Sequence, residues 1–325
     1  MNEKCMSTDQ KIQEIAKNFE INFLYARRVL ADIKSKNFLE EAAKIIADKP
    51  RPFVKWVGGK RQLLKQFRHL GLYPPEKINL EKATYHEPFL GGGAVFFDLM
   101  PKKAFLSDLN SELVTTYNVI KNDVENLIKA LKRQKYEKDY FLKVRSKKLE
   151  NLSDLQIATR FIYLNRTCFN GMYRVNSRGE FNVPFGKYDN PLICDDENLR
   201  KVSKSLQTIQ INHEDYKAVL KRAKKGDFVY LDPPYHPLSK TASFTAYTSQ
   251  GFGEKEQIEL RDTYLELHKR GCFVMLSNSN ADFINKIYSE VKKEGIKINK
   301  VEAGRAINSN GKNRGKVSEI LVINY

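Results

Sequence analysis

In the first fifty positions apolar residues recur three and four apart: Ile12, Ile15, Ala16 and Phe19, then a second amphipathic stretch over residues 24–33. That spacing puts them on one face of a helix, and Ser7-Thr8-Asp9 offers an N-cap for the first helix. Ala16, Ile21, Ala26 and Val29 resemble the small and apolar positions of a helix-turn-helix. Glu20 stands where the turn glycine is usual, so a plain helical hairpin explains the pattern as well. Pro50 and Pro52 then mark a boundary. From Phe53 onward short β-favouring runs alternate with helical stretches. Strands are predicted at 83–86, 104–106, 209–211, 228–231 and 272–276, with a pair of tail strands near 300–303 and 319–324. Such alternation predicts an α/β fold with a mainly parallel sheet. The rhythm breaks between about 119 and 204, with helices at 124–131 and 154–164 and then a Gly/Asn/Arg-rich segment, 165–190, that reads as a hairpin. The expected division is a helical extension (1–50), a main domain (51–118 and 205–325) and an insert (119–204).

Charge narrows the partner. Lys and Arg total 56 against 39 Asp and Glu, a formal net charge of +17 spread along the chain. A field of that size favours a polyanion. Cys5, Cys168, Cys194 and Cys272 form no C-x-x-C pair and the five histidines show no ligand spacing. No metal site is therefore expected. Polar residues 1–10 lack a signal-peptide pattern, and no apolar run approaches the ~18 residues of a membrane span. A cytoplasmic protein without a membrane partner is expected, as a monomer or weak dimer.

The most informative segment is Asp232-Pro233-Pro234-Tyr235, directly after the apolar run Phe228 to Leu231. Two prolines end the strand and stiffen the turn. The Asp232 carboxylate and the Pro233 carbonyl can both accept from one amino group, and the Tyr235 face can stack on a flat heterocycle. Earlier in the chain, Glu87-Pro88-Phe89-Leu90-Gly91-Gly92-Gly93 follows a strand and opens a helix, a general cofactor position in doubly wound sheets. Asp108 ends the next strand, where an acid reaches ribose hydroxyls; a helix N-cap is the alternative role. Trp56 can pack on a cofactor and Lys60 can meet a carboxylate. Asp215 and Tyr216 end another strand with an acid and a ring. Between 165 and 187, Arg166, Arg174, Arg178 and Lys187 interleave with Phe169, Tyr173, Phe181 and Phe185, a composition suited to a ribbon in the major groove.

In this order the motifs resemble the Dam-type (class alpha, D12 class) DNA adenine-N6 methyltransferases. The matching residues are Lys55-Trp-Val-Gly-Gly-Lys60, Glu87 to Gly93, Ser107-Asp-Leu-Asn110, Leu164-Asn-Arg166, Asn170-Gly-Met-Tyr-Arg174, Gly179-Glu-Phe-Asn-Val-Pro-Phe-Gly186 and Asp232 to Tyr235. Phe244-Thr-Ala-Tyr247, Ser277-Asn278 and the tail from Arg305-Ala-Ile-Asn308 through Asn324-Tyr325 match too. The resemblance covers about 53–325. It implies a Rossmann-like S-adenosylmethionine-dependent fold with an inserted helical and β-hairpin DNA-recognition domain. It implies S-adenosylmethionine as methyl donor, held by Trp56, Lys60, Glu87, Pro88, Phe89, Gly91, Gly93, Asp108, Asp215, Tyr216 and Asp232. The catalytic set would be Asp232, Pro233, Pro234 and Tyr235. Double-stranded DNA would meet Arg166, Asn170, Met172, Arg174, Asn176, Arg178 and Pro184, with Arg174 reading guanine. A G-A-T-C site and a companion restriction endonuclease are expected. Asp215-Tyr216 stands where the family usually has Asp-Phe. The rival readings are methylation of RNA adenine or cytosine N4, a non-catalytic DNA-binding regulator using residues 1–50, and a metabolic small-molecule methyltransferase.

Overall fold

The computed structural model describes residues 6–33, 37–56, 58–238, 252–304 and 316–325. The matches at 244–247 and 305–308 lie outside them. The strands are β1 (Tyr85–Glu87), β2 (Ala104–Asp108), β3 (Gln210–His213), β4 (Phe228–Leu231), β5 (Phe273–Ser279), β6 (Lys297–Gly304) and β7 (Lys316–Ile323). They form one sheet in the order β3-β2-β1-β4-β5-β7-β6. The first five positions are parallel, and β7 runs antiparallel between β5 and β6. β4 is buried along its whole length (Phe228, Val229, Tyr230, Leu231), as a parallel strand covered on both faces must be. The chain leaves β1 toward β2 and β3, then returns on the other side of β1 at β4. The strand order thus reverses between β1 and β4, the position where open α/β sheets bind ligands beyond their carboxyl ends.

The helices are α1 (Thr8–Asn18), α2 (Phe23–Asp32), α3 (Phe38–Ala47), α4 (Arg61–His69), α5 (Ala94–Leu99), α6 (Ser111–Lys132), α7 (Lys138–Arg145), α8 (Asp154–Thr167), α9 (Asp196–Leu206), α10 (Glu254–Lys269) and α11 (Asp282–Ser289). The helix predicted at 124–131 is the second half of α6. Asp123 breaks the helical dihedrals between the halves (φ −145°, ψ 44°). Residues of α6, α8 and α9 share one apolar cluster with β1, β2 and β4: Ile120, Leu127, Phe161 and Val202 pack with Tyr85, Leu106 and Phe228. The segment after α8 folds back as a hairpin with two antiparallel bridges, Cys168 with Phe185 and Val175 with Phe181. Its aromatic and aliphatic residues Phe181 and Val183 turn inward onto Phe141 and Tyr163, leaving Arg174, Arg178 and Lys187 exposed.

Ser7 caps α1 through a capping box with Gln10. Glu20 takes the left-handed conformation (φ 50°) between α1 and α2, and Lys65 and Arg68 hold it in place. The extension docks on the main domain through Asp98. That carboxylate accepts from Asn22, Arg68 and Tyr73, while the Asp98 carbonyl accepts from Asn22 and Lys49. Burial pulls the Lys49 ammonium down to about 8. Arg28 of α2 donates to the Met100 carbonyl, whereas Arg27 is exposed.

Candidate active site

Acids stand at or just past the carboxyl ends of four parallel strands: Glu87 on β1, Asp108 on β2, Asp215 after β3 and Asp232 after β4. The alternation of the sheet explains the collection, because each strand end delivers its next residues to the same edge.

At β1, Glu87 is 2% exposed, and its Oε2 accepts from the Tyr85 hydroxyl (2.9 Å) and the Phe96 amide (3.2 Å). Burial holds its carboxyl well above the usual range, with the Asp232 and Asp108 charges adding to the effect. Pro88 is buried, and Phe89 stacks on Tyr216 with centroids 5.2 Å apart. Gly91 (φ 48°) donates its amide to Asp108 Oδ2 at 2.9 Å and accepts from the Tyr117 hydroxyl at 3.1 Å. A Cβ there would stand 2.7 Å from Cδ1 and Nε1 of Trp56, so only glycine lets the turn approach the indole. Gly93 caps α5 in the left-handed region. Asp108 Oδ1 accepts from the Asn110 amide (2.9 Å), and burial pushes its carboxyl up. The N-cap of α6 is Asn110, so the alternative capping role falls on that residue. Asp215 is exposed and caps the short turn Tyr216–Lys221 through the Lys217 amide.

At β4, Lys60 Nζ lies 2.8 Å from Asp232 Oδ1 and 4.7 Å from the centroid of the Tyr235 ring. Lys60 therefore meets a carboxylate, that of Asp232 itself. Burial pushes the Asp232 carboxyl up and Lys60 draws it back. The turn is braced from behind. Gln257 donates to the Pro234 carbonyl (2.9 Å), Asn278 donates to Gln257, and Ser279 donates to the His236 carbonyl. Among the described residues none donates to the Pro233 carbonyl. Tyr235 donates its hydroxyl to Glu319 Oε2 at 2.8 Å. An ammonium beside a carboxylate suits a zwitterionic amino-acid group, and Asp108 beside the Gly91 turn suits a diol. The donor set fits S-adenosylmethionine.

A model of the D12 class N6 adenine-specific DNA methyltransferases matches residues 56–307. The chain belongs to that family. It is 44% identical over 283 residues to the type II methyltransferase M1.LlaDCHI of Lactococcus lactis subsp. cremoris, covering 85% of this chain and 95% of the relative. It is 43% identical over 293 residues to the type II methyltransferase M.MjaIII of Methanocaldococcus jannaschii, with coverage of 85% and 99%. The DNA adenine methylase of Escherichia coli strain K12 is 34% identical over 280 residues, with coverage of 85% and 95%. The protein is an adenine-specific DNA methyltransferase, its sheet is that of the S-adenosylmethionine-dependent enzymes, and its family implies that methyl donor. No helix among the described residues is long and apolar enough to cross a membrane.

The residues expected on DNA divide in this methyltransferase. Arg174 is exposed, its Nε bonded to Asn182 Oδ1 at 2.7 Å. Arg178 lies at the exposed hairpin tip, which Asn176 builds by accepting from the Arg178 and Glu180 amides. Asn170 (φ 54°) and Pro184 are exposed and Met172 is half-buried. Arg166 turns inward, donating to the Phe53 carbonyl at 2.7 Å. Sequence reading passed over Glu319, Gln257 and the buried pair Arg160–Glu112 (2.7 Å), none of which carries a local signal. Asn165 lay inside a matched motif without a role.

Proposed function

We propose that this methyltransferase acts on an adenine swung out of duplex DNA, within G-A-T-C, beside a restriction endonuclease of the same site. The observation carrying the chemistry is the turn after β4. The Pro234 carbonyl is occupied by Gln257, while the Pro233 carbonyl and Asp232 Oδ2 have no described donor. These two acceptors suit the two hydrogens of one exocyclic amine. The amine's lone pair is delocalised into its ring. Accepting both hydrogens favours the pyramidal form and stabilises the positive charge that grows on nitrogen, mostly in the transition state. When bound, the cofactor supplies an electrophilic methyl on sulfonium. Transfer of that methyl to the amine, with the sulfur keeping the electron pair, would leave a proton on the nitrogen to be lost, for which Asp232 is the adjacent acceptor. Extruding the base costs roughly a few kcal/mol, and stacking on Tyr235 returns about 1–3 kcal/mol.

For the donor, Trp56, Gly91 and Asp108 form one wall, with Phe89 and Tyr216 as the aromatic rim. Lys60 and Asp232 face its amino-acid end. Arg174 and Arg178 are the exposed cations of the hairpin, and Arg174 is the guanine reader in this reading. The likeness to two type II methyltransferases favours the nuclease partner, and a cytoplasmic monomer or weak dimer suits the task. The test incubates labelled S-adenosylmethionine with duplexes containing G-A-T-C or a scrambled site. Adenine N6 labelling confined to the first set is expected. Labelling of both sets would overturn the site, and labelled cytosine or RNA alone would overturn the substrate.

A further inference from the structure

The segment carrying Trp56 belongs to no strand or helix, so its backbone groups need outside partners. The Trp56 carbonyl is met by the Gly59 amide, and those of Lys55 are met from the insert. The Lys55 amide donates to Asn165 Oδ1 at 2.8 Å, and the Lys55 carbonyl accepts from Asn165 Nδ2 at 2.8 Å. The same Nδ2 donates to the Gly171 carbonyl at 2.9 Å. Asn165 is 1% exposed. An amide is the one side chain that can both accept from and donate to a peptide unit in this way. Gly171 completes the joint, since a Cβ there would lie 2.4 Å from Lys55 Cδ. The indole of Trp56 stacks on Tyr173, centroids 5.7 Å apart and planes 23° from parallel. Tyr173 donates its hydroxyl to Glu112 at 2.8 Å, and Glu112 is fixed by buried Arg160. The next residue is Arg174, whose carbonyl and side chain enter the hairpin through Asn182. Ten residues, 165–174, thus join the wall of the cofactor site to the exposed hairpin through an unbroken series of contacts.

We propose that Asn165 and Tyr173 are positioning residues through which the hairpin and Trp56 hold each other, so that the methyl donor and its DNA site bind with positive coupling. The inference rests on the reading of Trp56 as a cofactor residue and of the hairpin as the DNA reader. Seating the hairpin on DNA fixes Tyr173 and Asn165, and these fix the face of Trp56. By linkage the cofactor tightens DNA by the same factor. Asn165→Asp would turn two donated hydrogen bonds into an oxygen facing two carbonyls. Tyr173→Phe keeps the ring and deletes only its tether to Glu112.

Trp56 is the only tryptophan of the chain, so its emission reports on this joint alone. The experiment titrates S-adenosylhomocysteine, a non-reacting product, into the full chain with and without a duplex that the protein methylates. Duplex affinity is measured by anisotropy. In the wild type the duplex should shift Trp56 emission by itself and tighten S-adenosylhomocysteine about five- to tenfold. In both variants that factor should fall toward one while the fold persists by circular dichroism. If Asn165→Asp fails to fold, Tyr173→Phe carries the test. A wild-type factor of one, or variants that weaken each ligand yet keep the factor, would overturn the proposal. S-adenosylhomocysteine binding that leaves Trp56 emission unchanged would sink the cofactor reading, and this inference with it.

Discussion

Replacing Gly91 by alanine tests the proposed cofactor wall at one atom. Gly91 holds φ at 48°, a region that costs an L-residue about 1–2 kcal/mol. The added Cβ would also stand 2.7 Å from two atoms of Trp56, and Tyr173 stacks on the indole. Neither partner yields easily, because the Gly91 peptide is bonded to Asp108 and Tyr117. Overpacking of this kind costs about 1–3 kcal/mol, for a total of about 2–5 kcal/mol. Gly226→Ala is the control: its φ is 87°, but nothing lies within 4 Å of the added Cβ. It should lose only the backbone share. Urea unfolding of both variants isolates the contact with Trp56 as a difference of about 1–3 kcal/mol. If the indole swings aside, that difference shrinks and Trp56 emission moves to the red. Equal stabilities with unchanged emission would show that the turn does not need glycine at this position.

Three further outcomes are expected. Arg174→Ala should leave stability within about 0.5 kcal/mol of wild type and cost about 1–3 kcal/mol of discrimination between duplexes, and competition binding that retains full discrimination would remove Arg174 from that role. Glu87 binds its proton more tightly folded than unfolded, so stability falls as pH rises from the ordinary value of 4.5 toward the raised folded value, by about 1.4 kcal/mol per unit. Glu87→Gln, whose carbonyl can still accept from Tyr85 and Phe96, should remove the Glu87 share of that slope and leave the part due to Asp108 and Asp232, and parallel stability–pH curves for the two proteins would contradict the assignment. Arg160→Leu strands the Glu112 carboxylate in the core and should destabilise by about 3–5 kcal/mol in urea titration; a near-neutral result would mean that water reaches the pair.

The parts readable from the sequence were those governed by neighbours along the chain. Phe228–Leu231 is a strand because four apolar residues precede two prolines, and the structure places β4 on those residues. Ser7-Thr8-Asp9 announced the start of α1 as a capping segment, and the structure places the cap on Ser7. The acids at strand ends were found because a strand end is a local event. What escaped depends on distance. Glu319 lies 84 residues beyond the tyrosine it holds, and Asn165 lies 110 residues from the backbone it pairs. Asn165 stood inside a matched motif, but nothing near either residue named the partner it would hold. Arg166 shows the same dependence on distance: its neighbours placed it among the DNA-facing cations, and the fold adds a hydrogen bond to the carbonyl of Phe53, 113 residues away. The interleaved rings and cations of the hairpin were visible, but only the packing of Phe181 and Val183 against Phe141 and Tyr163 decides which face is dry.

The placement of β7 has a consequence for how the enzyme is made. β6 precedes β7 in synthesis but joins the sheet only through it, since of these two strands it is β7 that lies against β5. Until residues 316–323 have left the ribosome, β5 is a bare edge with its apolar residues Val274 to Leu276 behind it. Unpaired edges of this kind recruit other chains. Glu319, which anchors Tyr235, arrives on the same strand. A nascent chain that has already finished β4 and its Asp-Pro-Pro-Tyr turn therefore still lacks the Glu319 hydrogen bond to Tyr235. On the proposed role of Tyr235, the site is complete only with closure of the sheet, late in translation.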